Sequence, residues 1–341
     1  MDRNIASLFV DFAERECKYS SALYYYLSKK IALDADVLWL ASECRNDQPV
    51  PNMLFAAVHY LLARESSHPL AGYYKSINAS AVDVDGAFSY FKLFCLANND
   101  AIKVLLNSRL VQTNEVRRCA YLYPAISTGY QRLGSACQLA LIEVGTSAGL
   151  NLLPDQYLYS AGQGVEYGAL DSSVKLAIDF IGGYPQVAHQ KFPQISHRIG
   201  LDLNIIDLQN VDDVQWLYAL IWPDHHGRRA LLHKAIEIRC QHQLDLYQGD
   251  GFAMLEEIVR HLPKDTIPCI YHTHVANQIS ARAKDQLLAN ISMLGKERDL
   301  LHIYNNIKPN LRCTVMRSGR ESDFELAEVE GHGRWVKWLA S

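Results

Sequence analysis

The chain has 341 residues, 49% hydrophobic and 21% charged, with a formal net charge of -4. Lys and Arg number 33 against 37 Asp and Glu, so no basic excess marks nucleic acid or an anionic membrane surface as a partner. No run of about 18 apolar residues is free of charge and the first residues, MDRNIASLFVDFAERE, are acidic from position two, so the expectation is a cytoplasmic globular protein of two domains acting on a small molecule.

The first 132 residues read as helices. Ile5, Leu8, Phe9 and Phe12 share one face at i, i+3, i+4 and i+7. Asp34 or Asp36 can cap a helix through Val37, Leu38 and Leu40, and Asn52 can cap MLFAAVHYLLARE after Pro49 and Pro51. The apolar stripe recurs in GAFSYFKLFCLAN and AIKVLLNSRL, while TNEVRRCAYLYPAI starts at a Thr113 or Asn114 cap and is expected to break at Pro124. The run Tyr24, Tyr25, Tyr26 reads as packing surface, since aromatics at helical spacing face a core.

The pattern changes at CQLALIEV, residues 137–144, an apolar run of strand formers that ends in a glycine loop and resumes as GLNLLPDQY: strand, loop, helix. Further strands are expected at GLDLNIIDL near residue 204, LDLYQGD, PCIYHTHV, LLHIYNNI and LRCTVMRS. Helical patterns fall between several of them, at VDDVQWLYALI, RRALLHKAIEIRCQHQ, FAMLEEIVRHL and SARAKDQLLANISML. Strands alternating with helices argue for an α/β fold on a parallel sheet. The division is therefore a helical domain over 1–132 and an α/β domain over 133–341, with 154–198 as an insertion too long for an ordinary strand-to-helix connection.

Glu143, Gly145, Ser147 and Gly149 spell E-x-G-x-S-x-G at the carboxyl end of the predicted strand. Glycines there let backbone N–H groups approach a ligand closely. Against the dinucleotide fingerprint, Ser147 replaces the middle glycine and the acid precedes the loop, which favours an adenosine-type ligand without pyrophosphate, such as S-adenosylmethionine. The loop resembles motif I of the class I S-adenosylmethionine-dependent methyltransferases. The wider set EVGTSAGLNLLPDQY, RIGLDLNIIDL, ALIWPDHHGRRALLHKAI, YQGDGFAML and HGRWVKW, from about residue 113 to the end, resembles a bacterial family known only as a domain of unknown function.

The resemblance implies a Rossmann-like methyltransferase sheet with helices on both faces, preceded by the all-helical domain. It also implies a cofactor-binding set: Glu143 with Gly145, Thr146, Ser147 and Gly149 for the amino acid end and ribose edge, Asp250 and Gly251 of GDG for the adenine. Asp202 is the best match for the ribose-binding acid, although it follows Glu143 by 59 residues, far beyond the usual spacing of about 20.

His272 and His274 lie two apart in a predicted strand, so both are expected on one face, where one can serve as general base or both can simply pack. No ligand spacing links them to His225 and His226, and eight scattered cysteines lack CxxC pairs, so no metal is expected. Trp222, Pro223 and Asp224, with Arg228 and Arg229, read as a loop anchoring the next helix, and His332, Trp335 and Trp338 as packing on the last strand. The loop also spells G-x-S-x-G, the nucleophile elbow of α/β-hydrolases, with Asp250 and a later histidine in the right chain order. Glu143 has no role in an elbow, and the helical upstream region supplies neither the preceding strands nor an oxyanion loop. A non-catalytic protein that binds an adenosyl ligand is the third alternative.

Overall fold

The computed structural model describes residues 4–80, 83–162, 164–186 and 190–340. The chain forms two compact units, one of Met1–Thr113 with Gln209–Ala230 and the other of Asn114–Leu208 with Leu231–Ser341.

The first unit contains α1 (Ile5–Phe12), α2 (Ala22–Ile31), α3 (Ala35–Ser42), α4 (Val50–Leu62), α5 (Ala87–Ala97) and α6 (Asn99–Ser108). Side-chain caps start them where the sequence offers short polar groups: Ser21 Oγ accepts from Tyr24 N–H and Asp34 Oδ1 from Val37 N–H. α4 begins at Val50, two residues before the expected Asn52, because Pro51 fits the first helical turn, where no N–H partner is needed. It is buried on most of its surface, with Phe55 stacked on Tyr24 at 4.1 Å and on Phe12 at 5.9 Å. The segment that returns to this unit carries α8 (Val211–Ala219), whose Trp216 joins the same core and donates from Nε1 to Leu110 O. Asp224 accepts from Ser21 Oγ and pairs with Lys75, so it ties the returning segment to the N-terminus of α2.

The second unit is an α/β assembly on a mixed nine-stranded sheet. In chain order it contains α7 (Cys119–Leu133), β1 (Gln138–Val144), β2 (Leu158–Ser160), β3 (Glu166–Gly168), β4 (Lys175–Ala177), β5 (Asp179–Phe180) and β6 (Ile195–Asp202). There follow α9 (His226–Cys240), inside which the unit boundary falls, β7 (Asp245–Gln248), α10 (Gly251–His261), β8 (Thr266–His272) and α11 (Ala281–Glu297). The chain ends with β9 (Leu300–Tyr304), β10 (Leu311–Arg317), β11 (Arg320–Val329) and β12 (Trp335–Trp338).

The strand order is β5-β12-β11-β10-β9-β8-β1-β6-β7. The block β9-β8-β1-β6-β7 is parallel throughout with β1 at its centre, whereas β10, β11 and β12 continue as antiparallel neighbours. Only the first block matches the expected parallel sheet. The connections from β9 to β12 are short, and short connections join antiparallel strands. The Ala140, Ile142 and Val144 face packs on α10 and α11, and α7 lies on the opposite face, where Gly129 lets it approach Cys313 and Leu301.

Four further local expectations differ from the structure. α7 continues through Pro124 and belongs to the sheet unit; the proline forfeits a single helical hydrogen bond, and nearly every residue of the helix is buried. The strand expected near residue 204 lies at Ile195–Asp202. The glycine loop opens no α-helix but a three-residue 3-10 turn, Leu150–Leu152, because its backbone is claimed by side chains: Asn114 Oδ1 accepts from Leu150 N–H, and Tyr157 Oη donates to Leu150 O. Pro154 then closes the continuation. Finally, the 154–198 segment carries a small three-stranded sheet, β3-β2-β4, within residues 158–177, in which Tyr159 and Tyr167 stack at 5.1 Å, and its last residues already belong to β6.

Candidate functional site at the carboxyl end of the central strand

β1 delivers Glu143 and the loop to the point where the strand order reverses, since β6 and β7 follow on one side of β1 and β8 and β9 on the other. Glu143 is 2% exposed, and Oε2 accepts from Thr146 Oγ1 at 2.7 Å. Burial pushes its carboxyl up to about 8; hydrogen bonds from Thr146 and Asn151 and the charge of Arg118 oppose that rise, and Asp202 adds to it. The acid is thus largely protonated at neutral pH.

The loop is held from three sides. Gly145 N–H donates to Leu201 O at 2.7 Å, Ser147 N–H to Asp202 Oδ2 at 2.8 Å, and Arg239 Nε–H to Ala148 O at 3.2 Å. Gly145, Ser147 and Gly149 all have positive φ, a serious strain only for the serine at +54°. A Cβ on Gly145 would lie 2.1 Å from Val275 Cγ2, so the missing side chain there is accounted for by packing of the segment after β8. Ser147 is 1% exposed, and its Oγ has no hydrogen-bond partner.

Asp202 sits at the end of β6, directly beside β1, and its Oδ1 also accepts from Asn204 N–H. The inserted small sheet explains how an acid so distant in sequence reaches the loop. Asp250 is exposed and caps α10, accepting from Phe252 and Ala253 N–H. Gly251 lets the start of α10 approach the sheet closely, since a Cβ would lie 2.8 Å from Val144 Cγ1 and 3.0 Å from Leu201 Cβ.

The two histidines do not share a face. β8 ends at His272, and the backbone turns left-handed at His274 (φ +64°), where Asn305 Oδ1 captures the His274 N–H. His272 is fully buried, with Nε2 3.1 Å from His302 Nε2 and its ring edge-on to Phe252. Burial lowers it to about 3 and holds His302 well below the usual range too, so the pair is neutral core. His274 is lowered to about 4, first by burial and then by Arg118 and His332, and its Nε2 has no hydrogen-bond partner. Both stand at the carboxyl end of β8, but His272 is packed against Phe252 of α10, whereas His274 immediately precedes Val275, which packs on Gly145. His225 and His226 belong to the helical unit, and among the described residues no cluster of three or more His, Cys, Asp or Glu could hold a metal.

Several contributors escape sequence inspection. Arg118 Nε–H donates to Gly331 O at 3.3 Å and Nη1–H to Thr273 Oγ1 at 3.4 Å. Gly333 is pressed so closely against the chain before α7 that a Cβ would be 2.4 Å from Arg117 O, which gives the HGRW box its place. Asn151 and Arg239 act through contacts that no spacing rule encodes. Arg118 did leave one signal: Arg117 and Arg118 stand at the start of α7, where the helix dipole disfavours cations.

Fold and site together define an α/β protein with a glycine-containing loop after the central strand of a parallel block. The chain belongs to the family described as "Uncharacterized protein conserved in bacteria (DUF2332)", whose model matches residues 6–338. Neither the curated proteins nor the solved structures contain a match to it. No helix among the described residues is long and apolar enough to cross a membrane.

Proposed function

We propose that this chain binds S-adenosylmethionine at the carboxyl ends of β1, β6 and β8 and methylates a small molecule. The observation that carries the proposal is the convergence of Glu143, the Gly145–Gly149 loop and Asp202 at the strand-order reversal, where open α/β sheets bind ligands. Numbered along the chain, the parallel block runs 3-2-1-4-5, a Rossmann-like order.

The donor set suits an adenosyl ligand better than a dinucleotide. A three-residue 3-10 turn offers no helix N-terminus to a pyrophosphate, whereas Asp202 retains acceptor capacity for ribose hydroxyls and Asp250 for an adenine amino group. Ser147 Oγ is a buried orphan that a ligand polar group would satisfy. Bound S-adenosylmethionine supplies an electrophilic methyl group. The chain's part is to hold the acceptor in line and exclude water, which can account for ~7–11 kcal/mol of a barrier. His274, unprotonated at neutral pH, is the group suited to take a proton from the acceptor.

One feature favours the hydrolase alternative, the left-handed φ of Ser147. Against it, no histidine hydrogen bonds to Ser147 Oγ, and the described residues before β1 form no strand. Calorimetric titration with S-adenosylmethionine and S-adenosylhomocysteine tests the proposal, with Asp202→Ala as the weakened variant. Absence of binding at millimolar ligand overturns it, and binding without turnover on any acceptor leaves the non-catalytic alternative. Labelling by a fluorophosphonate that disappears in Ser147→Ala would instead establish the hydrolase.

A further inference from the structure

We propose that Arg118 is the anchoring cation of a binding site for a small carboxylate, seated at the carboxyl end of β8 among Tyr121, Thr273 and His274. It adds a ligand class to the end of the sheet assigned above and rests on that location, though not on methyl transfer.

The guanidinium is half-buried, and among the described residues no carboxylate lies within ion-pair distance of it. Its two hydrogen bonds, to Gly331 O and Thr273 Oγ1, are long and go to neutral acceptors, and Nη2 makes none among the described residues. Removing a cation from water is costly unless an anion compensates, and here the positive end of α7 adds to the unmet charge. Glu143 cannot supply the counter-charge, being mostly protonated, and Asp202 and Asp155 are engaged elsewhere by Ser147 and Arg198. The surrounding groups are equally incomplete. Tyr121 Oη is fully buried beside Arg118, with Thr273 as its polar neighbour but no hydrogen bond of good geometry, and His274 Nε2 likewise makes no well-formed bond. A carboxylate fits a planar guanidinium through two parallel hydrogen bonds and still accepts from neighbouring hydroxyls.

The same surroundings argue for a carboxylate over a phosphate. The charges of Arg118 and Glu115 both act on Tyr121 and those of Arg118 and Glu330 both on His274, with Glu330 Oε1 taken by Arg334 and Glu115 Oε2 3.7 Å from His332 Nδ1. A dianion would meet repulsion from both acids. A single negative charge is matched by the guanidinium of Arg118, since that of Arg334 is paired with Glu330.

The test is isothermal titration of the full chain with acetate, succinate and benzoate, with inorganic phosphate as the contrast, on wild type, Arg118→Gln and Arg118→Lys. At least one carboxylate should bind wild type, about tenfold or more tighter than Arg118→Gln and with Arg118→Lys between them, as expected for a charge-assisted pair. Because Arg118, His332 and Glu330 are the charges facing His274, neutralising Arg118 with a bound carboxylate should move the His274 Cε1–H titration upward in NMR, a readout that survives if Arg118→Gln fails to fold. No carboxylate binding at millimolar concentration, equal affinity in a folded Arg118→Gln, or tighter binding of phosphate would each overturn the site. S-adenosylmethionine is titrated separately. If it fails to bind while a carboxylate binds, the methyltransferase proposal falls and the Arg118 site stands; displacement of the carboxylate by S-adenosylmethionine identifies the anion as the cofactor's own.

Discussion

Ser147 donates its backbone N–H to Asp202 Oδ2 at 2.8 Å across 55 residues of chain, and this bond locks the glycine loop to the end of the neighbouring strand. Two amides depend on that carboxylate, since Asn204 N–H is the other donor. Asp202→Ala should therefore destabilise the protein by about 1.5–3 kcal/mol, the range for hydrogen bonds to a charged group. Urea unfolding measures it, and an unchanged midpoint would show that the loop is held without the acid.

Glu143 makes stability fall with rising pH. Its folded value near 8 exceeds the ordinary 4.5, so between these values the native state binds the extra proton and the unfolded chain does not. The contribution is complete below about 4.5 and is lost as pH rises through about 8. Glu143→Gln should flatten this decline in ΔG of unfolding by denaturant, and an unaltered slope would show that the carboxyl is ionised in the fold.

His272 acts in the opposite direction. Its folded value near 3 lies below the ordinary 6.5, so the unfolded chain takes up a proton that the native core refuses, and stability is lost as pH falls from about 6.5 towards 3. His272→Phe should move the acid-unfolding midpoint to lower pH relative to wild type if the mutant packs against Phe252 and His302. A midpoint shifted upward would mean that the His272–His302 bond outweighs the proton penalty.

Gly145 tests whether packing or a ligand explains the glycine. Gly145→Ala should cost about 1–3 kcal/mol from overpacking against Val275, with ~1 kcal/mol more from the positive φ. Val275→Ala in the same chain should recover part of that loss, a coupling that a double-mutant cycle on unfolding free energies reads directly.

Asp250 carries a cap and a proposed adenine contact, and two substitutions separate them. Asp250→Ala should cost about 1 kcal/mol because it leaves the Phe252 and Ala253 amides unpaired. Asp250→Asn keeps the cap, so thermal unfolding should hardly change while S-adenosylmethionine affinity falls; full affinity in that variant removes Asp250 from the proposed site.

Several elements were legible in the sequence alone, though β2 to β5 and β11 were not. α10 and α11 lie where their 3.6-residue period puts them, and β7, β8, β9 and β10 where short apolar runs stand between those helical patterns, β8 and β9 being buried on both faces. E-x-G-x-S-x-G likewise announced a strand-to-loop turn at Val144–Thr146. What followed the turn was not legible, since a local pattern of helix formers lost to Asn114 and Tyr157, which lie outside the motif and took the Leu150 backbone groups. Strand order, the return of α8 to the helical unit, Val275 over Gly145 and the unpaired Arg118 came only with the tertiary structure. Each is a contact between segments far apart in the chain, and periodicity records which face of an element is buried without recording what buries it.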